Sequence, residues 1–421
     1  MGEKNKILIV SFFFPPYKRV GGRRWAKFAK YLIRQGHTVK ILCAQLSSSD
    51  TSPWDRDIEP FEKEITRIPV EHKVPYFRRN MSPKSFAGKI RYRLSMLSYK
   101  SKLNSIAGDM NDLSIGYEKQ FMEKAEALIK QFDLRNVVLS GGPFRYISAL
   151  AQLKKKYPTL NLVIDLRDFW SDNMTALSPE RRSYEEKLEQ ETLQRADHII
   201  TPAERIQNRI GEKYPQLKTR IKVIPHGYDI DDFSGMVNTL RKPGNAFNLI
   251  YAGSLYAEME NEMHTLARLI SHIKKTGTPV RADLFTFQTD YKHIFAQAGL
   301  DENVKYHQPV DSKQLFSQIS EEYDAVLVLL SGRALTQHFK SSKFYELVYL
   351  KKPIIYIGPK GDVSDFTEEK QLGFYVNPQT IITDAERIIT NWQTRKIPSG
   401  TFSAEDFAYQ NVTGQLEKIL T

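Results

Sequence analysis

Between Gln337 and Gly358 the chain reads QHFKSSKFYELVYLKKPIIYIG, and its polar residues gather where a helix would begin. Ser341 and Ser342 are N-cap types, able to accept hydrogen bonds from the orphan N–H groups of a first turn. Those N–H groups, with Lys340 and Lys343 beside them, suit an anion such as a diphosphate. Glu346 follows Lys343 by one turn on the same edge, where a carboxylate can accept from sugar hydroxyls. The plainer reading is a soluble amphipathic helix whose early glutamate favours the dipole. A second group follows the apolar run Asn161–Asp165: Leu166, Arg167, Asp168, Phe169 and Trp170. Charged residues at the carboxyl end of an inner strand face the ligand crevice of an open α/β sheet; the alternative is an Arg167–Asp168 ion pair that fixes a loop. A third group is Gly21–Gly22, followed by Arg23 and Arg24. Paired glycines let a backbone approach a ligand at a helix N-terminus, or make only a tight turn. The spacing is not G-x-G-x-x-G, so the dinucleotide fingerprint is absent.

The elements that must position these groups follow an α/β rhythm. Lys6 to Phe14 reads as a buried strand ended by Pro15–Pro16, Arg23 to Gln35 as a helix, and Thr38 to Ala44 as a second strand. This is the spacing of a parallel, right-handed unit. Further strands are expected at Glu64–Val70, Asn136–Ser140, Asn161–Asp165, His198–Thr201 and Ile221–Pro225. Helices are expected at Tyr117–Phe132, Phe144–Tyr157, Glu180–Arg195 and Pro202–Tyr214. Asn238 to Ala246, with Pro243–Gly244, reads as linker. The rhythm then restarts with a strand at Phe247–Tyr251, a turn at Ala252–Gly253–Ser254 and a helix from Glu262. The helix that begins near Ser342 is expected to end at Lys351–Lys352, where cations suit the dipole, and Pro353 stops it before the strand Ile354–Ile357. Ala404 to Leu420 is expected as a final helix. A restart after a linker predicts two doubly wound domains facing across a cleft. Their expected bounds are 1–235 and 236–400, with 401–421 packing back on the first.

At 421 residues, two or three domains are expected. The single cysteine, Cys43, excludes an internal disulfide framework and a cysteine zinc site, and its apolar strand context makes it a small buried hydrophobe. The sequence has no H-E-x-x-H, no G-x-S-x-G and no acidic pair that demands a metal. No apolar run reaches membrane-spanning length, and the first lacks a small-residue cleavage site, so a cytoplasmic chain is expected. The formal charge of +12 implies an anionic partner. It concentrates in residues 72–108, which hold nine lysines and arginines interleaved with aromatics and no acidic residue. That segment reads as an amphipathic helix on an anionic membrane surface, which would make the chain peripheral on its inner face, or as a solvated helix packed by its apolar side. No nucleic-acid motif accompanies the charge, so nucleic acid is not an expected partner.

Lys343, Phe344, Glu346, Leu347, Lys352 and Pro353 resemble the donor-nucleotide helix of retaining GT-B glycosyltransferases of family 4, in the branch that reads roughly K-x-F-E-Y-L-x-x-x-K-P. Tyr345 looks inserted, and His338 stands where many members carry a second acidic residue. Asp165, Arg167, Asp168 and Trp170 are similar to the D-x-R-D-x-W of a sub-branch. The opening through Gly36–His37, A-D-H-I-I-T at Ala196–Thr201 and I-P-H-G-Y-D at Ile224–Asp229 extend the likeness over nearly the whole chain. The resemblance implies a metal-independent transferase with no cofactor, moving a hexose-type sugar from a UDP- or GDP-sugar to a glycan or lipid-linked acceptor in cell-surface polysaccharide synthesis. It implies a donor site of Gly21, Gly22, Gly253, Ser254, Arg333, Lys340, Ser342, Lys343 and Glu346, the last holding the ribose. Asp168 and Arg167 would be catalytic, and Arg23 and Arg24 would lie on the acceptor side. Lipid-linked acceptors in such enzymes favour the membrane reading of 72–108. One departure stands out: relatives place an arginine and a lysine just after the Gly253 turn, whereas this chain reads SLYAEMENE, acidic at 258–262. Arg333, Lys340 and Lys343 would then supply the charge. A sugar-nucleotide epimerase of the same architecture, or a binding protein that has lost catalysis, are the alternatives.

Overall fold

A computed structural model describes residues 4–17, 20–46, 54–70, 85, 90, 107–174, 177–235, 244–332, 340–396 and 403–420. Arg333 and His338 lie outside the described residues, as do all but four residues of the basic segment 72–108. The chain divides into two compact units, residues 1–225 with 413–421, and residues 226–412. Among the described residues, no helix is long and apolar enough to cross a membrane.

The first unit is built on seven strands: β1 (Lys6–Ser11), β2 (Thr38–Leu46), β3 (Ile65–Val70), β4 (Asn136–Ser140), β5 (Asn161–Asp165), β6 (His198–Thr201) and β7 (Ile221–Val223). They lie in the order β3-β2-β1-β4-β5-β6-β7, and every pairing is parallel. Ile7 to Val10 and all of β4 are buried, as a sheet covered on both faces requires. The order reverses between β1 and β4, and such a switch point opens a crevice at the carboxyl ends of the strands. Residues 413–421 join this unit: Asn161 Nδ2 donates to Ile419 O at 2.7 Å, and His37 meets Glu417.

The second unit repeats the plan with β8 (Phe247–Ala252), β9 (Val280–Phe285), β10 (Val304–His307), β11 (Ala325–Leu329), β12 (Ile354–Ile357) and β13 (Gly373–Val376), ordered β10-β9-β8-β11-β12-β13 and again all parallel. Its main core joins Leu249, Leu266, Ile270, Leu284 and Ile355. Two doubly wound α/β units are thus present, as the restart of the rhythm predicted.

Four local expectations need correction. The first helix starts at Val20 rather than Arg23, so Gly21 and Gly22 lie inside its first turn. The expected Phe144–Tyr157 helix is two pieces, Arg145–Leu150 and Leu153–Lys156. The final helix covers only Tyr409–Glu417, after a separate 3-10 turn at Ala404–Phe407. Lys352 does not sit free at its own helix end. Its buried Nζ donates to the carbonyls of Ser320 (2.9 Å) and Tyr323 (3.0 Å), capping the end of the Ser312–Glu322 helix. Orphan C-terminal carbonyls of one helix recruit the cation from another segment.

Candidate active site

In the second unit the helix Ser342–Tyr349 is wedged between two apolar clusters. Phe344 and Val348 pack with Ile354, Tyr356 and Val363, while Leu347 packs with Ile250, Phe316 and Val326. Ser341 is the N-cap in extended geometry, but its hydroxyl makes no cap bond, contrary to the expectation. The apparent insertion, Tyr345, is a core residue at 1% exposure whose ring lies 4.7 Å from that of Phe407. With these side chains fixed, the helix start meets the carboxyl end of β8: Lys343 Nζ donates to Ala252 O at 2.7 Å. Lys343 is thereby brought to Gly253, 90 positions earlier in the chain. Ser342 and Glu346 are both buried, at 8% and 5% exposure.

The strand-end turns share one device. Tyr251 OH donates to Ser254 O at 2.8 Å, and a Cβ at Gly253 would stand 2.7 Å from that hydroxyl. Tyr356 OH donates to Pro359 O at 2.8 Å, and a Cβ at Gly358 would stand 2.7 Å from it. Each glycine lets a turn fold over a tyrosine at a strand end. Burial holds both phenols protonated, with pKa values pushed well up.

Lys340 pairs with Asp362 at 3.7 Å and lies over the Phe366 ring at 4.3 Å. The acidic stretch after Gly253 has a structural use: Glu260 and Glu262 occupy the first turn of the helix Glu260–Lys275, where negative charge suits the dipole. Glu262 is buried, and burial raises its carboxyl above the usual range against the lowering pull of nearby backbone N–H groups.

In the first unit the polar groups meet where β1, β4 and β5 end. Arg167 Nη2 donates to Gly141 O at 2.7 Å and lies 3.4 Å from Gly142 O. Its guanidinium covers Gly21, where a Cβ would fall 2.1 Å from Nη1. A Cβ at Gly22 would fall 2.8 Å from Phe13 O. The glycine pair is therefore demanded by protein packing: one admits Arg167, the other lets the helix approach the chain after β1. Arg24 also departs from expectation. It is 1% exposed, with Nη1 and Nη2 each 2.8 Å from the Pro225 and Ile224 carbonyls and Nε 3.5 Å from Asp165. Its guanidinium is committed inside the unit and is not available to an acceptor. Arg23 is 6% exposed and lies 5.8 Å from the Trp54 ring centre, so it too is largely enclosed.

Asp168 is half-buried and makes no ion pair within 4 Å among the described residues, so the loop-fixing Arg167–Asp168 pair is not formed. Burial raises its carboxyl above the usual range, against the lowering pull of Arg167. The loop is held instead from behind. Asp165 is completely buried and accepts from Trp25 Nε1 at 2.7 Å. Trp170 donates to Glu185 at 2.8 Å and stacks on Phe144 at 4.6 Å. Ser171 donates to Glu189, which Lys213 also reaches at 2.9 Å. Glu185 and Glu189 come from the helix Pro179–Gln194 and were missed in the sequence. The available signal was their four-residue spacing, continued by Leu193, on a helix with almost no apolar face.

No protein-family model matches the sequence, and no curated protein matches it significantly. Solved structures do match, over nearly the full length. A glycosyltransferase from Rickettsia africae ESF-5 superposes with TM-score 0.62 at 13% identity, covering 99% of this chain and 98% of that one. The pneumococcal O-GlcNAc transferase GtfA in complex with UDP and GlcNAc gives 0.59 at 13% identity, over 99% and 98%. The UDP-GlcNAc 2-epimerase from Neisseria meningitidis bound to UDP-GlcNAc gives 0.54 at 12% identity, over 98% and 99%. The chain has the GT-B fold. Transferases and epimerases share that fold, so the chemistry must be argued from side chains. In open α/β sheets ligands bind at the carboxyl ends of the strands, which is where both clusters lie.

Proposed function

We propose that the protein is a retaining, family 4-like glycosyltransferase that moves a hexose-type sugar from a UDP- or GDP-sugar to a glycan or lipid-linked acceptor in cell-surface polysaccharide synthesis. The observation that carries this reading is the start of the Ser342–Tyr349 helix, with Lys343 held to the carbonyl beside Gly253. Breaking the bond between an anomeric carbon and a diphosphate builds negative charge on the leaving phosphate. Helix N–H groups and a fixed ammonium stabilise that charge without a metal. In this reading Glu346 holds the ribose hydroxyls, and Gly253 and Ser254 line the diphosphate. Asp168 faces the reacting sugar or acceptor, where a carboxylate offsets the positive charge that grows on the ring as the bond breaks, and Arg167 acts beside it. The match to an epimerase structure supports a second reading, in which a nucleotide sugar is altered with no acceptor at all.

Calorimetric titration with UDP, GDP, ADP and NAD tests the donor site. We expect saturable binding of one nucleoside diphosphate and none of NAD; a protein that binds only NAD, or nothing, overturns the proposal. Incubation with the matching nucleotide sugar alone, followed by NMR of the sugar, separates the two enzymes. An epimerised nucleotide sugar selects the second reading.

A further inference from the structure

A cavity of about 630 Å³ opens in the first unit beside the carboxyl ends of β1 and β2, a size typical of small-molecule sites. Phe14, Pro16 and Tyr17 form one wall, from the chain that leaves β1. The Tyr17 ring is stacked on Phe13 at 5.3 Å with 15° between planes, which fixes its orientation. Gln45 from β2 and the carboxylates of Asp55, Glu59 and Glu62 line the cavity too. Arg67 contributes less charge than its presence suggests. Glu62 grips it with both oxygens, and Arg67 Nη2 also lies 3.5 Å from Pro15 O. Apart from Phe14, whose Cα lies against Gly22, none of these residues belongs to the glycine and Arg167 cluster.

We infer that this cavity binds a saccharide unit without phosphate, which makes it the acceptor subsite for the glycan itself rather than for a lipid phosphate. The inference rests on the transferase reading and names its acceptor class. Two features carry it. An oriented aromatic ring offers an apolar face to the C–H side of a pyranose, as aromatic walls do in ligand pockets. Carboxylates and an amide accept from, or bridge, sugar hydroxyls. Phosphate instead needs an excess of donors, as Arg-rich anion sites supply. Here three carboxylates face two guanidiniums; Glu62 and Arg67 cancel each other, which leaves Asp55 and Glu59 against Arg56. In a chain of formal charge +12, a lining with more carboxylates than cations is a local inversion that repels anions.

The test is saturation-transfer NMR and calorimetry on the whole chain, with methyl glycosides of glucose, galactose and N-acetylglucosamine as probes, and with inorganic phosphate and pyrophosphate. We expect at least one glycoside to receive saturation, and phosphate not to displace it. Tyr17→Ala should weaken that glycoside at least fivefold, while Tyr17→Phe, which keeps the ring, leaves it unchanged. Glu59 is exposed, so Glu59→Lys should fold and should let phosphate compete. No glycoside binding, displacement by phosphate in the unaltered protein, or equal affinity in Tyr17→Ala overturns the inference. UDP titration in the same samples separates the claims. UDP binding without glycoside binding removes only this subsite, whereas glycoside binding without any nucleotide binding removes the transferase reading and leaves a saccharide site.

Discussion

Replacing Glu346 examines the proposed donor site most directly. The side chain is 5% exposed and sits one helical turn beyond Lys343, whose ammonium is fixed to the Ala252 carbonyl. A carboxylate that accepts from ribose hydroxyls makes a charged hydrogen bond, which contributes about 1.5–3 kcal/mol, against about 0.5–1.5 kcal/mol for a neutral one. At roughly 1.4 kcal/mol per tenfold in affinity, Glu346→Ala should weaken UDP or GDP binding by about 10- to 150-fold. Glu346→Gln keeps the shape and loses only the charge, so it should cost about 5- to 12-fold. The assay is calorimetric titration of each variant with the nucleoside diphosphate and with its 2′,3′-dideoxy analogue. The unaltered protein should lose affinity for the dideoxy form, and Glu346→Ala should lose almost none, because the bond is already gone. A variant that still discriminates the dideoxy analogue as strongly as the parent refutes the ribose role, whatever its absolute affinity.

Three further outcomes are expected. Burial raises the Asp168 carboxyl, so its neutral form is favoured in the fold and stability is lost as pH rises through the raised value. Asp168→Asn should therefore raise the melting temperature at pH 7, with the gain vanishing at pH values below the usual carboxylate range, while turnover falls; a variant that is fully active removes Asp168 from the catalytic residues. Asp165→Asn leaves the buried Arg24 without its carboxylate, a loss of about 3 kcal/mol, at the low end because both carbonyl bonds remain. A unit of this size should then melt roughly 6–12 °C lower, and a shift under 2 °C in calorimetry would contradict the assignment. Cys43 is 1% exposed, and burial pushes its thiol up to about 12, so thiol reagents at pH 8 should label it only after unfolding. Rapid labelling of the native protein would show that β2 opens.

Much of the architecture was legible because its signals are local. Apolar runs such as Ile7–Val10 and Ile354–Ile357 are short, β-branched and bounded by proline, glycine or charge, and each became a buried parallel strand where it was expected. The helix boundaries that failed lie where local signals are weak: the break at Ala151–Gln152 carries no glycine or proline, and the turn at Ala404–Phe407 reads as helix from apolar spacing alone.

By itself the sequence determined two doubly wound units and the polar residues that could meet a ligand, since strand and helix periodicity is set by neighbours two to four positions away. Only the tertiary structure decided which charges are available. Arg24 reaches carbonyls 200 residues later, Lys352 caps a helix from another segment, Arg167 lies over Gly21, and Lys343 reaches back 91 residues to Ala252. A buried charge must find its partner wherever packing brings one, and no local pattern encodes that choice. The same reason hid Glu185 and Glu189, whose partners Trp170 and Ser171 sit on a loop rather than on the helix that carries the acids.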